Sequence, residues 1–192
     1  MNIQGTIPPE MTFFRQLGKL QSHSTFSKTS FFLIYSTSEE LLDLNSNNLV
    51  GSIPSTLGEL IRLKELRLEV NNLDGTLFSE IGNLINLEVL TIGSNFIEGP
   101  LPFQLGSCKS LKLLRANGNK LEGQIPAHIY DLINLHELSL SNNNLGGTIS
   151  PRVIRLDKLQ FGMLNDFIVY VKNCLPHTLH VDLYYLSSLR EQ

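Results

Sequence analysis

Residues Leu42–Leu60 read LDLNSNNLVGSIPSTLGEL, and this stretch decides the fold. It opens on Leu-x-Leu, a period-2 alternation that turns two side chains to one face of a short strand. Asn47, Leu49 and Gly51 follow, then the pair Ile53-Pro54. Further along the chain the same letters return at a constant spacing. The first strand leucine recurs as Leu66, Leu90, Leu114 and Leu138, and the second inward position holds Leu44, Leu68, Ile92, Ala116 and Leu140. The Asn returns at 71, 95, 119 and 143, and the Gly at 75, 99, 123 and 147.

Five units of 24 laid out from position 39 hold seven apolar columns, and 34 of those 35 positions are apolar, Glu39 being the exception. A chance arrangement fills roughly half. The repeat is therefore a property of the fold and not of composition. Strands that recur at this spacing leave too much chain between them for hairpins. They stack as a parallel sheet with a return path between strands. No coil buries its own leucines alone, so stability comes from stacking neighbour on neighbour. Asn47, Asn71, Asn95, Asn119 and Asn143 stand where the chain leaves each strand, and their amides are expected to form a ladder that satisfies backbone groups of two coils. The Gly column asks for positive φ or close backbone approach. The Ile-Pro pair asks for an extended segment.

The pattern L-x-x-L-x-L-x-x-N-x-L-x-G-x-I-P-x-x-L-G-x-L resembles the plant-specific leucine-rich repeat. Members of that family include ectodomains of plant receptor-like kinases and receptor-like proteins and the secreted polygalacturonase inhibitors. The resemblance implies an α/β-type repeat solenoid: a right-handed coil with a parallel concave β-sheet and a return side of loop and short 3-10 turns. It covers residues 39–164, with an extra piece at Gly5-Thr6-Ile7-Pro8.

Residues 1–38 read as partial and degenerate repeats, 39–158 as the five full repeats, and 159–192 as a broken repeat and irregular tail. Counting on from Gly5, the next coil would begin at Leu17 and run only 22 residues, with Thr25 and Thr29 at its Asn and Gly positions, so residues 22–30 read as polar filler and Phe31–Tyr35 as a misplaced apolar strand. Beyond Leu159, Phe167 and Val171 replace the Asn and the Gly. Within the array Phe78 and Ser150 replace the Pro, and Tyr130 and Ile154 the Gly after it. The cysteine-paired caps usual in the family are missing. Two expectations follow: the apolar runs Phe31–Tyr35 and Phe167–Val171 fold over the ends as caps, or the chain is a slice of a truncated gene product. The start inside a coil favours the second.

The chain carries 15 Lys and Arg against 18 Asp and Glu, a net charge of −3, which argues against a binder of nucleic-acid phosphates. No apolar run approaches the ~20 residues of a membrane helix. Residues 1–20 show no basic start leading into an apolar core. No kinase motif set and no G-x-S-x-G elbow occurs, so no enzyme and no cofactor are expected. Cys174, His177, His180 and Asp182 make a C-x-x-H-x-x-H-x-D grouping. Zinc sites use such residues at short spacing, but a tail without the repeat pattern reads better as lacking a metal site. Cys108 falls in an inward column and reads as a small buried hydrophobe, while His128 and His136 read as surface residues.

Alternation places the residues flanking the strand leucines on the concave face. The candidate binding residues there are Arg67, Glu69, Val89, Thr91, Leu113, Arg115, Asn117 and Ser139. Arg67 stands between Glu65 and Glu69 and is expected to be neutralised by them. Arg115 stands between Leu113 and Asn117 and is expected to be the free cation for a ligand carboxylate. The resemblance implies a non-catalytic recognition module that binds a peptide, protein or co-receptor, placed on the extracellular face of the plasma membrane or in the apoplast. Its alternatives are a polygalacturonase-inhibitor-like protein and a gene fragment without independent activity.

Overall fold

A computed structural model describes residues 4–7, 9, 40–147, 150–159, 161–164, 167–169 and 183–184. Its strands, in chain order, are β1 (Gln4–Gly5), β2 (Leu41–Asp43), β3 (Asn48–Ser52), β4 (Glu65–Arg67), β5 (Asn72–Asp74), β6 (Val89–Thr91) and β7 (Glu98–Pro100). They continue with β8 (Leu113–Arg115), β9 (Lys120–Gln124), β10 (Glu137–Ser139), β11 (Asn144–Gly146), β12 (Phe161–Leu164), β13 (Phe167–Val169) and β14 (Leu183–Tyr184).

The Leu-x-Leu strands β2, β4, β6, β8 and β10 lie side by side, parallel, in one sheet with β12, β13 and β14. Their register equals the repeat: Leu42 faces Leu66, Leu66 faces Leu90, Leu90 faces Leu114 and Leu114 faces Leu138. Inward side chains therefore stack in columns, and nearly every described member of the seven apolar columns is buried. Leu60 and Ile125 pack against this core half-buried. Phe78 and Tyr130, which depart from the repeat pattern, are also buried and enlarge the core.

The return side carries a short 3-10 turn in each coil, at Ser55–Glu59, Ser79–Asn83, Phe103–Ser107, Ala127–Asp131 and Pro151–Arg155. Each follows an extended residue, Pro54, Phe78, Pro102, Pro126 or Ser150. Among the described residues no α-helix occurs. The solenoid is thus β and 3-10 in content, because each coil leaves a return path too short for several α turns.

The sequence reading has no counterpart for the second set of strands. β1, β3 and β5 form one parallel sheet and β7, β9 and β11 another, with a bridge from Thr76 to Glu98 between them. These strands contain the segment read as turn and extended chain. The five column glycines, Gly51, Gly75, Gly99, Gly123 and Gly147, have φ from +69° to +81°, the left-handed region that the column requires.

The partial coil at the start pairs directly with the first full coil. In the second set of strands each coil pairs with the next at one fixed offset, as in Val50 facing Asn72 and Glu98 facing Lys120. Gln4 faces Asn48 and Gly5 faces Leu49, which is twice that offset, yet β1 pairs with β3 directly. No described strand lies between them in that sheet. Ile7 is buried against the first full coil, and the Thr56 hydroxyl donates to the Pro9 carbonyl at 2.6 Å. The residues between Pro9 and Glu40, and with them the runs expected at 17–38, lie outside the described residues.

At the other end, β12 pairs with β10 in parallel, one repeat on, with Gly162 opposite Leu138. β13 then pairs with β12, and β14 with β13, both antiparallel. A tail read as irregular contributes these strands, because backbone pairing continues where the side-chain pattern has ended.

Candidate binding face

The concave sheet face is built by alternation: Leu66 and Leu68 point inward from the second coil, so Glu65, Arg67 and Glu69 point out. Register then makes three rows across the strands. One row holds Glu65, Val89, Leu113 and Glu137; the next holds Arg67, Thr91, Arg115 and Ser139. The third, just past the strands, holds Glu69, Gly93 and Asn117.

Arg67 donates through Nη2 to Glu65 Oε2 at 2.6 Å, so Glu65 is the neutralising partner. Its Nε is buried with no partner among the described residues. Arg115 departs from expectation. Its Nε donates to Glu137 Oε1 and its Nη2 to Glu137 Oε2 at 3.1 Å, a two-point contact with the neighbouring strand. That contact, chiefly the hydrogen bonds, holds the Arg115 pKa above its ordinary value, and Glu69 adds to the effect. Arg115 is therefore not the free cation of this face. The pair is diagonal, two residues off register, which long side chains span between neighbouring strands.

Thr91 and Ser139 are buried at 5% and 7% exposure although they face the concave side. The Thr91 hydroxyl has no partner among the described residues, while Ser139 Oγ donates weakly to Asn117 Oδ1 at 3.4 Å. Val89, Leu113, Glu69 and Asn117 are half-buried. One residue before each strand, Lys64 pairs with Glu40 at 2.9 Å and Lys112 with Glu88. The Glu40 contact raises the Lys64 pKa.

The asparagines fix the edge of this face. Asn95 Nδ2 donates to Leu68 O at 3.0 Å in the preceding coil and to Ile92 O at 3.1 Å in its own, and its Oδ1 accepts from Leu73 N at 3.0 Å. Asn71, Asn119 and Asn143 repeat that set, and Asn47 Nδ2 donates to Leu44 O at 2.9 Å. Asn71, Asn95, Asn119 and Asn143 thus each tie two coils together through the side chain, beside the backbone bonds that run between coils at the same level.

Elsewhere the functional residue types are structural. Cys108 is fully buried in its leucine column; its Sγ lies 3.2 Å from Ile81 O, and burial pushes the thiol up to about 11. His128 is exposed, its ring 5.5 Å from that of Phe103, and His136 is half-buried. No group of metal-ligating side chains occurs among the described residues, and Cys174, His177, His180 and Asp182 lie outside them. No described helix is long and apolar enough to cross a membrane.

The family model of the Leucine Rich Repeat matches residues 40–60, 62–84 and 134–156, three of the coils just described. The chain is built of leucine-rich repeats. No curated protein matches it. Among solved structures, this leucine-rich repeat array is similar to the plant peptide hormone receptor RGFR1 in complex with RGF2, at 31% identity and TM-score 0.69, over 85% of this chain and 23% of that one. It is also similar to the Arabidopsis receptor kinase HAESA in complex with the peptide hormone IDA and the co-receptor SERK1, at 30% identity and TM-score 0.68, over 82% and 23%. A third is the BIR3–SERK2 complex from Arabidopsis thaliana, at 37% identity and TM-score 0.57, over 60% and 62%. The chain thus spans about a quarter of the first two receptors. The first is a peptide hormone receptor in complex with RGF2, the second is in complex with a peptide hormone and a co-receptor.

Proposed function

We infer that this leucine-rich repeat array is a non-catalytic recognition module of the plant receptor ectodomain kind, acting outside the plasma membrane and binding an extended peptide or a protein partner. The observation that carries the reading is the concave sheet. Five strands in strict register hold polar and charged side chains in fixed rows, on a scaffold whose opposite side is taken up by return turns. Rigid rows spaced ~4.8 Å apart suit an elongated ligand that crosses several coils. The partners of the similar receptors, a peptide hormone and a co-receptor, support the ligand class. The candidate contacts are Arg67, Glu69, Val89, Thr91, Leu113, Arg115, Asn117 and Ser139.

Selection of displayed random dodecapeptides on the full chain tests the reading. Selected peptides are expected to lose at least tenfold in affinity for Leu113→Arg, on the concave face, and to keep it for Glu122→Arg, on the second set of strands. Far-UV circular dichroism checks that both variants fold. Binders that respond to Glu122→Arg and ignore Leu113→Arg would place recognition elsewhere.

A further inference from the structure

We propose that the concave face selects a cationic ligand, with a primary ammonium (a lysine side chain or a peptide amino terminus) seated over Gly93 between Glu69 and Asn117. The inference rests on the concave-face reading and gives it a charge sign, opposite to the carboxylate that Arg115 suggests from sequence.

Charge accounting on the face comes first. The outward positions of the five coils carry Asp43, Glu65, Glu69 and Glu137 against Arg67 and Arg115, four acids against two bases. Both bases are already taken by acids of the same face, Arg67 by Glu65 and Arg115 by Glu137. The acids left over are Asp43, whose Oδ1 accepts from Asn45 N at 3.1 Å, and Glu69. Among the described residues the Glu69 carboxylate has no hydrogen bond or ion pair; its electrostatic link is the pull on Arg115 across Gly93. A carboxylate ligand would meet two neutralised arginines and two unspent acids. A cation meets the reverse.

Geometry narrows the place. A methyl group on Gly93 would stand 3.0 Å from Asn117 Oδ1, 3.1 Å from Glu69 Oε1 and 3.2 Å from the Asn117 carbonyl. Oxygens from the strands on either side therefore converge above the one position of the row that has no side chain. Two residues earlier on the same face is Thr91, 5% exposed, with a hydroxyl that has no partner among the described residues. A buried hydroxyl without a partner, two residues along the same strand from the point where a carboxylate and an amide oxygen converge, is a second polar group there with hydrogen-bonding capacity to spare. A carboxylate, an amide oxygen and a hydroxyl all accept, and an ammonium offers three donors and no acceptor. A planar guanidinium, with its fork of donors, matches this three-sided set less well.

The test reads charge separately from location. Random dodecapeptides selected on the full chain are sequenced and titrated against wild type, Glu69→Gln, Asn117→Ala and the remote Glu122→Gln. Enrichment in lysine, with a loss of about tenfold for Glu69→Gln, a smaller loss for Asn117→Ala and none for Glu122→Gln, supports the proposal. Peptides enriched in Asp, Glu or a free carboxylate, weakened by Arg115→Gln and indifferent to Glu69→Gln, overturn the cationic assignment and leave the concave reading intact. Binders indifferent to every concave substitution, or no binders, overturn both.

Discussion

Glu137 holds Arg115 by two hydrogen bonds from the neighbouring strand, and so converts the one concave arginine that sequence leaves unpaired into a neutral pair. Both side chains are partly exposed, at 41% and 23%. Such pairs contribute ~0–1 kcal/mol. Glu137→Gln should therefore shift the denaturant midpoint of unfolding by an amount equivalent to under about 1 kcal/mol. The same substitution frees the guanidinium and should raise affinity for acidic dodecapeptides while leaving lysine-bearing ones unchanged or weaker. An unfolding cost of several kcal/mol would mean the pair is a structural strut and not a setting of surface charge.

Asn95 is a different case, since burial removes water as a substitute partner. Asn95→Ala orphans the N–H of Leu73 and removes one of two donors from each of the carbonyls of Leu68 and Ile92, which keep Asn71 and Asn119. With about 1–3 kcal/mol for the orphaned N–H and about 0.5 for each carbonyl that keeps a second donor, the loss should be about 2–3 kcal/mol. Asn86→Ala is the comparison: its single bond to Ile61 O at 2.8 Å is exposed, so the change should stay within about 0.5 kcal/mol. Urea midpoints of the two variants decide it, and equal losses would remove the ladder from the account of stability.

Much of this was legible in the spacing of the repeats. Leucine columns give strand, register and core at once, because in a solenoid the contact partner of each residue is its equivalent one repeat away. The 3-10 return turns are what the resemblance to the leucine-rich repeat implies. What escaped has physical reasons. The second set of strands carries no alternating apolar signal, being exposed on one side and Gly-bearing, so it reads as turn. Counting repeats on from Gly5 spaces β1 and β3 two offsets apart, and their direct pairing, Gln4 with Asn48, depends on backbone contact that spacing does not show. On the concave face, reading charge partners along a strand finds Glu65 for Arg67. It misses Glu137 for Arg115, which lies diagonally on the next strand. Gly93 looks like a gap in a row until Glu69 and Asn117 are seen to meet over it.

Val70 shows strain that the repeat could have avoided. Its φ is +58°, and the equivalent positions of the other coils hold Ser46, Ser94, Gly118 and Asn142, all also at positive φ. A β-branched residue is poorly suited to that region, at a cost of about 1–2 kcal/mol. Val70 is half exposed, so little burial is lost on exchange. Val70→Asn should stabilise by about 1 kcal/mol and raise Tm by ~2–4 °C for a chain of this size. A lower Tm would show that the valine side chain contributes packing that its exposure conceals.

Coil-to-coil distance on the return side is set by small residues. A Cβ on Gly82 would stand 2.7 Å from the Gln104 carbonyl, a backbone atom that cannot swing away. Gly82→Ala should therefore destabilise by about 1–3 kcal/mol, the usual cost of overpacking. Gly146 has nothing within 4 Å of a built Cβ, so Gly146→Ala should be neutral or slightly stabilising through the unfolded chain. Calorimetric unfolding of the pair checks the contrast; a tolerated Gly82→Ala would mean the coils slide apart at no cost.

Cys108 gives a pH dependence whose sign is fixed by its burial. Its thiol is raised from 9.0 to about 11, chiefly by desolvation, so between those values the folded chain keeps a proton that the unfolded chain releases. Protons bound to the native state then exceed those bound to the unfolded one, and stability falls as pH rises from about 9 to about 11. Two pH units correspond to ~2–3 kcal/mol, present in full below the lower value and lost above the upper one. Cys108→Ala costs stability at neutral pH by leaving a small cavity, yet its unfolding free energy should fall less steeply than wild type across that window. The same protection should leave the native thiol unreactive toward a disulfide reagent at mildly alkaline pH, with full reaction after unfolding in urea. Parallel pH profiles for wild type and Cys108→Ala would show instead that water reaches the thiol and that the leucine column around it opens.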